Sequence, residues 1–301
     1  MRNTKTACIF TIIYLIVTSC HSTNSRLSPQ QLADNIKARL DKVPGHFGVA
    51  YYASWTGPVL VHADSVFHAA STMKTPVMIE VYNQAKAGRF SLNDSLTIKN
   101  EFYSIVDSSV YSLNAADDSE QQLYSLIGTK RSIYQLVYDM IIKSSNLATN
   151  MMIELVGAKN VTNTMRNLSA HSIQVLRGVE DSKAYQQGLN NTTTANDLLA
   201  IYDHLAAHKV VDSASSAAMI GILLDQQFNE IIPARLPGDV KVAHKTGNIS
   251  GVQHDSGIVF LPDGRFYAIV LLSKDLTNEQ AGIDALADVS KMIYDYAVGQ
   301  P

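Results

Sequence analysis

The chain has 301 residues, 46% of them hydrophobic and 17% charged, which suits a packed globular protein rather than a disordered one. Its net charge of -3 and lack of a basic run give no footprint for nucleic acid. Beyond the first 20 residues no stretch is long and apolar enough to cross a bilayer.

The N-terminus reads as an export signal. Arg2 and Lys5 form a positive start, and Ala7 to Val17 an apolar stretch too short to span. Val17-Thr18-Ser19-Cys20 resembles a bacterial lipobox, so residues 1–19 are expected to be removed and Cys20 to carry lipid. Residues 20–27 would be a tether holding an exported, periplasmic protein at a membrane. Cys8 leaves with the signal, so the folded part is expected to lack a disulfide. Ser28-Pro29-Gln30-Gln31 is a capping box with proline at the first helical position, predicting a helix to Leu40. Gly48 to Trp55 and Val59 to Ala63 read as strands around Gly57-Pro58. From Ser71 to Ile232 the pattern is mostly helical, with apolar residues at helical spacing in 132–142, 147–156, 195–207 and 214–224. Strands return at 240–245, 257–261 and 266–272, the last two joined by Pro262-Asp263-Gly264. Thr277-Asn278-Glu279-Gln280 caps a final helix. Strands at both ends with helices between predict an α+β fold: a five-stranded antiparallel sheet built from both chain ends, with an inserted all-helical lobe. Residues 28–301 then form one domain, with a sheet lobe (28–65 and 235–301) and a helical lobe (66–234), and the cleft between lobes is the natural place for a site.

Three short motifs fall in that cleft. Ser71-Thr72-Met73-Lys74 places a hydroxyl and an amine on one face at a helix start, where the amine can activate a weak nucleophile. The backbone N–H of Ser71 would supply half of an oxyanion hole. Pro76 is compatible with a first helical turn, since its missing N–H costs nothing there. Alone, Ser-x-x-Lys is more often an ordinary exposed helix start. Ser144-Ser145-Asn146 precedes an apolar helix and fits plain N-capping as well as it fits chemistry. Lys245-Thr246-Gly247 ends an alternating strand, and its glycine allows a substrate backbone to approach the strand edge.

In that order the three motifs match the signature of serine acyl-transfer enzymes. The chain resembles class A β-lactamase-type serine hydrolases, within the superfamily that also holds penicillin-binding proteins. Phe67-His68-Ala69-Ala70-Ser71, the segment Ala87 to Asp94, Asn150, and Asn191-Thr192-Thr193-Thr194 extend the resemblance over the mature length. The resemblance implies β-lactam hydrolysis through an acyl-enzyme on Ser71, activated by Lys74. It makes Ser144 a proton shuttle to the leaving nitrogen and Asn146 a donor to the substrate amide. Lys245 would hold Ser144 and a substrate anion, Thr246 would bind the carboxylate beside Gly247, and the Asn248 N–H would complete the oxyanion hole. It implies no cofactor and no metal, a small-molecule β-lactam as partner, membrane contact only through Cys20, and a monomer.

Two departures bear on turnover. The family's loop carries Arg-x-Glu with an Asn four residues after the Glu, and both position the deacylating water. Here Arg177-Gly178-Val179-Glu180-Asp181 sets the Glu one place late, and Ala184 stands where the Asn would. Glu180 is the expected base, Asp181 its competitor, and a solvated acidic loop the plain reading. No arginine lies in 251–257; His254, Asp255 and Ser256 occupy the place where many members anchor the substrate carboxylate. Ser145 replaces the usual Asp of the middle motif. His204 and His208, four residues apart, would share a face if one helix carried both, but without a His-Glu-x-x-His pattern they do not read as zinc ligands. The rivals are a cell-wall D,D-peptidase or penicillin-binding protein, which acylates without fast deacylation, and a non-catalytic lipoprotein that binds peptidoglycan or a partner.

Overall fold

The computed structural model describes residues 27–299; the expected signal and most of the tether, Cys20 included, lie outside them. The chain opens with α1 (Pro29–Leu40), β1 (His46–Ala53), β2 (Gly57–Val61) and β3 (Phe67–His68). A 3₁₀ turn over Ala70–Met73 then runs into α2 (Lys74–Lys86). An irregular excursion carries β4 (Ser95–Thr97), β5 (Phe102–Tyr103), β6 (Val110–Tyr111) and β7 (Lys130–Ser132). The helical part continues with α3 (Ile133–Ile142), α4 (Asn146–Val156), α5 (Ala158–Asn167) and α6 (Ser182–Gln186). After β8 (Thr192–Thr193) come α7 (Ala195–Ala206) and α8 (Ser213–Leu224). The chain closes with β9 (Lys241–Ile249), β10 (Val252–Phe260), β11 (Phe266–Lys274) and α9 (Glu279–Val298).

The main sheet has five antiparallel strands in the order β2-β1-β11-β10-β9, so both chain ends build it, as the pattern of strands predicts. β11 explains how it is held. Tyr267, Ile269 and Leu271 face α1 and α9, whereas Ala268, Val270 and Leu272 face the helical lobe and α7. Side chains alternate across a strand, so a strand buried on both faces must be apolar throughout. Fully burying each large side chain contributes roughly 1.5–3 kcal/mol. The capping box at α1 forms as read: Gln31 N–H donates to Ser28 Oγ at 3.2 Å and Ser28 N–H to Gln31 Oε1 at 2.8 Å.

Three expectations shift. Gly57 and Pro58 lie inside β2 rather than in the turn, which closes one residue earlier through Thr56 N–H to Ala53 O at 3.2 Å. Pro58 is tolerated because β2 is an edge strand. β9 continues to Ile249, so Lys245-Thr246-Gly247 sits within a strand and not at its end. β10 starts at Val252, five residues before the expected 257, because four consecutive polar residues mask it. Gln253, His254, Asp255 and Ser256 are all buried, and each is satisfied by a partner that the sequence alone does not reveal. The helical lobe also contains short two-stranded ribbons, β3–β8, β4–β7 and β5–β6, amid its helices.

Candidate active site

Ser71 stands in the 3₁₀ turn rather than in the first turn of α2, half-buried, after Ala70, whose φ of 44° turns the chain sharply. The strained residue is held by its own N–H, which donates to His68 Nδ1 at 3.0 Å. β9, the outermost strand of the sheet, packs on this turn. Gly247 is obligatory at the contact: a Cβ there would lie 3.0 Å from the backbone nitrogens of both Ser71 and Thr72. A side chain at 247 would force the strand or the Ser71 turn to give by a few tenths of an ångström.

Ser144-Ser145-Asn146 is the connection between α3 and α4. Ser144 adopts the left-handed region, φ 55°, at a cost of about 1–2 kcal/mol for a residue other than glycine. Ser145 caps α4 by accepting from Ala148 N–H at 3.2 Å, so the plain capping reading is correct for Ser145. It is incomplete for its neighbours, which point at buried amines. Lys74 Nζ donates to Ser144 O at 2.7 Å, Ser144 Oγ at 3.1 Å and Asn146 Oδ1 at 3.0 Å. Lys245 Nζ reaches the same hydroxyl from the opposite side at 3.0 Å, and Thr246 O at 2.9 Å. Ser144 Oγ therefore bridges the two lysines, and the bonds of Lys74 go to that turn rather than to Ser71.

Both lysines are fully buried. Burial lowers the Lys74 amine to about 7, against a partial counter-effect of the carboxylates of Asp118 and Glu180. Burial, reinforced by the charge of Lys74, pushes Lys245 well below its ordinary value. A neutral amine beside a serine is what proton removal requires.

The loop 177–191 settles which acid enters the cleft. Its neck is closed by Arg177, which donates to Leu189 O at 2.9 Å and Asn190 Oδ1 at 3.1 Å, and by Asn191, whose Oδ1 accepts from Leu176 N–H at 2.8 Å. Asn150 grips Val179 at both ends, accepting from its N–H at 2.6 Å and donating to its carbonyl at 3.1 Å. Gly178 makes room for that grip, since a Cβ there would lie 2.5 Å from Asn150 Oδ1. Glu180 then takes φ 61°, and this left-handed residue returns its carboxylate to the cleft despite the shifted position. Asn146 Nδ2 donates to Glu180 Oε1 at 3.0 Å. Burial raises the Glu180 carboxyl above its usual range. Asp181 points elsewhere: it is buried, caps α6 through Ala184 N–H at 3.1 Å, and accepts from Ser104 Oγ at 2.9 Å and Ile105 N–H at 3.0 Å. It is a structural tie between loop and excursion. The solvated-loop reading fails for Asp181, which is buried, whereas Glu180 is half-buried and lines the cleft.

Ser71, Ser144, Asn146, Glu180, Thr246, Gly247 and Asn248 line one cleft of about 1080 Å³. Lys74 and Lys245 lie behind its wall. His254 borders the cleft but cannot replace an anchoring arginine. Its Nε2–H donates to His68 O at 2.9 Å, its Nδ1 accepts from Ser273 N–H at 3.1 Å, and burial lowers it to about 4, leaving it neutral. It holds the approach to Ser71 in place. Asp255 is likewise occupied with His244, at 2.8 Å. His204 binds the carbonyl of Ala200, and no group of three His, Cys, Asp or Glu is placed to hold a metal among the described residues. Two contributors escaped sequence reading, Asn114 and Asp118, because they lie in an irregular stretch with no motif. Asn114 N–H donates to Glu180 Oε2 at 3.4 Å.

Residues 31–297 match the model of the Beta-lactamase enzyme family. A beta-lactamase of Bacteroides uniformis is 26% identical over 306 residues, covering 94% of this chain and 97% of the relative. Among solved structures, a beta-lactamase from Sphaerobacter thermophilus DSM 20745 superposes with a TM-score of 0.78 at 25% identity, over 91% of this chain and all of that one (100%). PBP-A shares the fold with a TM-score of 0.77 at 23% identity, over 91% of this chain and 98% of its own.

Proposed function

Because the chain belongs to the beta-lactamase enzyme family, we propose that it hydrolyses the β-lactam amide through an acyl-enzyme on Ser71. The observation that carries this reading is the shared hydroxyl of Ser144 between Lys74 and Lys245, with Glu180 joined to the same set through Asn146. A binding module has no need of two buried amines on one serine.

The neutral Lys74 amine takes the Ser71 proton as Oγ attacks the lactam carbonyl. Backbone N–H groups of Ser71 and Asn248 hold the oxyanion. As the C–N bond breaks, the nitrogen receives the Ser144 hydroxyl proton, which is replaced from the lysines on either side. Glu180 then removes a proton from water as the water oxygen attacks the ester, and as the acyl C–O bond breaks the departing Ser71 Oγ takes up the proton that Glu180 collected, which regenerates the free enzyme. The product is a ring-opened β-amino acid. Thr246 and Asn146 bind the substrate carboxylate and amide.

The decisive test is the intact mass of the protein after mixing with a penicillin, followed over time. A transient adduct supports hydrolysis. A persistent one favours a D,D-peptidase, for which buried Ala184, unable to hold a water where an Asn would, is the favouring observation. No adduct, with the penicillin left unconsumed, leaves only the binding module. A pH profile checks the base. Since only unprotonated Lys74 accepts the proton and its amine lies at about 7, acylation rises as pH increases through about 7 and is lost below it. An acid limb near the ordinary lysine value would remove Lys74 from the role.

We also propose that the protein is exported and anchored by lipid on Cys20, on the strength of Val17-Thr18-Ser19-Cys20. Cys20→Ala is expected to move the protein from the membrane fraction or block its processing. Unchanged fractionation, with an unlipidated N-terminus, would remove the anchor.

A further inference from the structure

The turn bearing Ser144 and Asn146 is held by a side chain from another part of the chain. Asp118 lies between β6 and β7, 3% exposed, and four donors converge on its Oδ2. Asn146 N–H and Leu147 N–H donate at 2.9 Å each, Tyr124 OH at 3.0 Å and Ser145 Oγ at 3.4 Å. The first two are the free N–H groups of the first turn of α4, and Ser145 satisfies the third at Ala148. Asp118 is itself fixed, its Oδ1 accepting from Glu120 N–H at 3.0 Å. The same stretch reaches the site twice more. Asn114 N–H meets Glu180 Oε2, and Ser119 Oγ donates to Ser144 O at 3.5 Å.

We propose that Asp118 is a positioning residue of the active site. Its carboxylate holds the Ser144-Ser145-Asn146 turn against Lys74 and supplies one of the two negative charges that face the Lys74 amine. Charges reach that amine from three sides: Asp118 from the excursion, Glu180 from the loop, and the opposing Lys245 from β9. The turn between α3 and α4 adds only the neutral groups of Ser144 and Asn146. An aspartate buried against a helix start would stabilise α4 wherever that helix lay. This one also sets where Ser144 Oγ and Asn146 Oδ1 meet the amine, because it grips Asn146 by its own N–H.

This proposal rests on acylation of Ser71 by a β-lactam. The test compares wild type and Asp118→Asn, measuring the rate of Ser71 labelling by a fluorescent penicillin from about pH 5.5 to 9. Removing the charge leaves Lys74 easier to deprotonate, so the acid limb is expected to move to lower pH by about half a unit or more. The rate on the plateau is expected to fall about 10-fold or more as Ser144 and Asn146 lose their hold. An unmoved acid limb overturns the proposal, whether or not the plateau falls, since a purely structural aspartate would not shift it. If Asp118→Asn does not fold, Asp118→Asn with Ser145→Asp returns a carboxylate to the same turn. Recovery of folding and labelling supports the proposal, and failure to recover labelling overturns it. A wild type that is neither labelled by a penicillin nor able to consume one would instead sink the reading of Ser71.

Discussion

Ser71→Ala is expected to abolish covalent labelling by penicillins, with no residual adduct at any time or pH. The Ser71 hydroxyl lines the cleft where Gly247 brings β9 against the backbone nitrogens of Ser71 and Thr72, the close approach that the proposed oxyanion hole needs. Ser144 is the obvious substitute, yet its hydroxyl is already engaged by two lysines at 3.1 and 3.0 Å. Mass spectrometry of the variant after prolonged exposure is the measurement. An adduct surviving on Ser144 or elsewhere would end the mechanism. The variant should fold as the wild type does, because removing one half-buried hydroxyl leaves the packing around the 3₁₀ turn intact.

Glu180→Gln is expected to acylate at close to the wild-type rate and then stall, accumulating the penicilloyl ester on Ser71. A glutamine keeps the hydrogen bond from Asn146 Nδ2 but cannot accept a proton from water. General-base catalysis contributes ~10²–10⁴-fold, about 3–5 kcal/mol of barrier, so the adduct should persist for correspondingly longer in a single-turnover mass experiment. Asp181 supplies the contrast. Read from sequence alone, Asp181→Ala should turn over nearly as wild type. The structure gives that variant a different defect: loss of the α6 cap and of the tie to Ser104 and Ile105 should lower stability by about 1–3 kcal/mol. Its adduct should still clear. If Asp181→Ala traps the ester and Glu180→Gln does not, the base has been assigned to the wrong acid.

Local sequence by itself determined the features that depend on near neighbours. The α1 capping box, the helices from 133 to 156, and the existence of strands at both ends are written in spacings and runs of a few residues. The three motifs were legible for the same reason, since Ser71 and Lys74, or Lys245 through Asn248, are close in the chain. Contacts between distant segments were decided only by tertiary structure. The shift of Glu180 looked damaging until the grip of Asn150 on Val179 and the left-handed backbone at Glu180 turned its carboxylate back toward Asn146. The sequence pattern starts β10 five residues late because four polar residues in succession read as loop, whereas Glu279, His68 O, His244 and Lys245 O satisfy them in the interior. Asp118 belongs to no pattern, yet from a distant stretch of the chain it holds the middle motif. Burial is likewise a property of the whole fold: it lowers Lys74 to about 7 and pushes Lys245 well below its ordinary value. A sequence can name an amine, but only the packed interior withdraws the water that keeps it protonated.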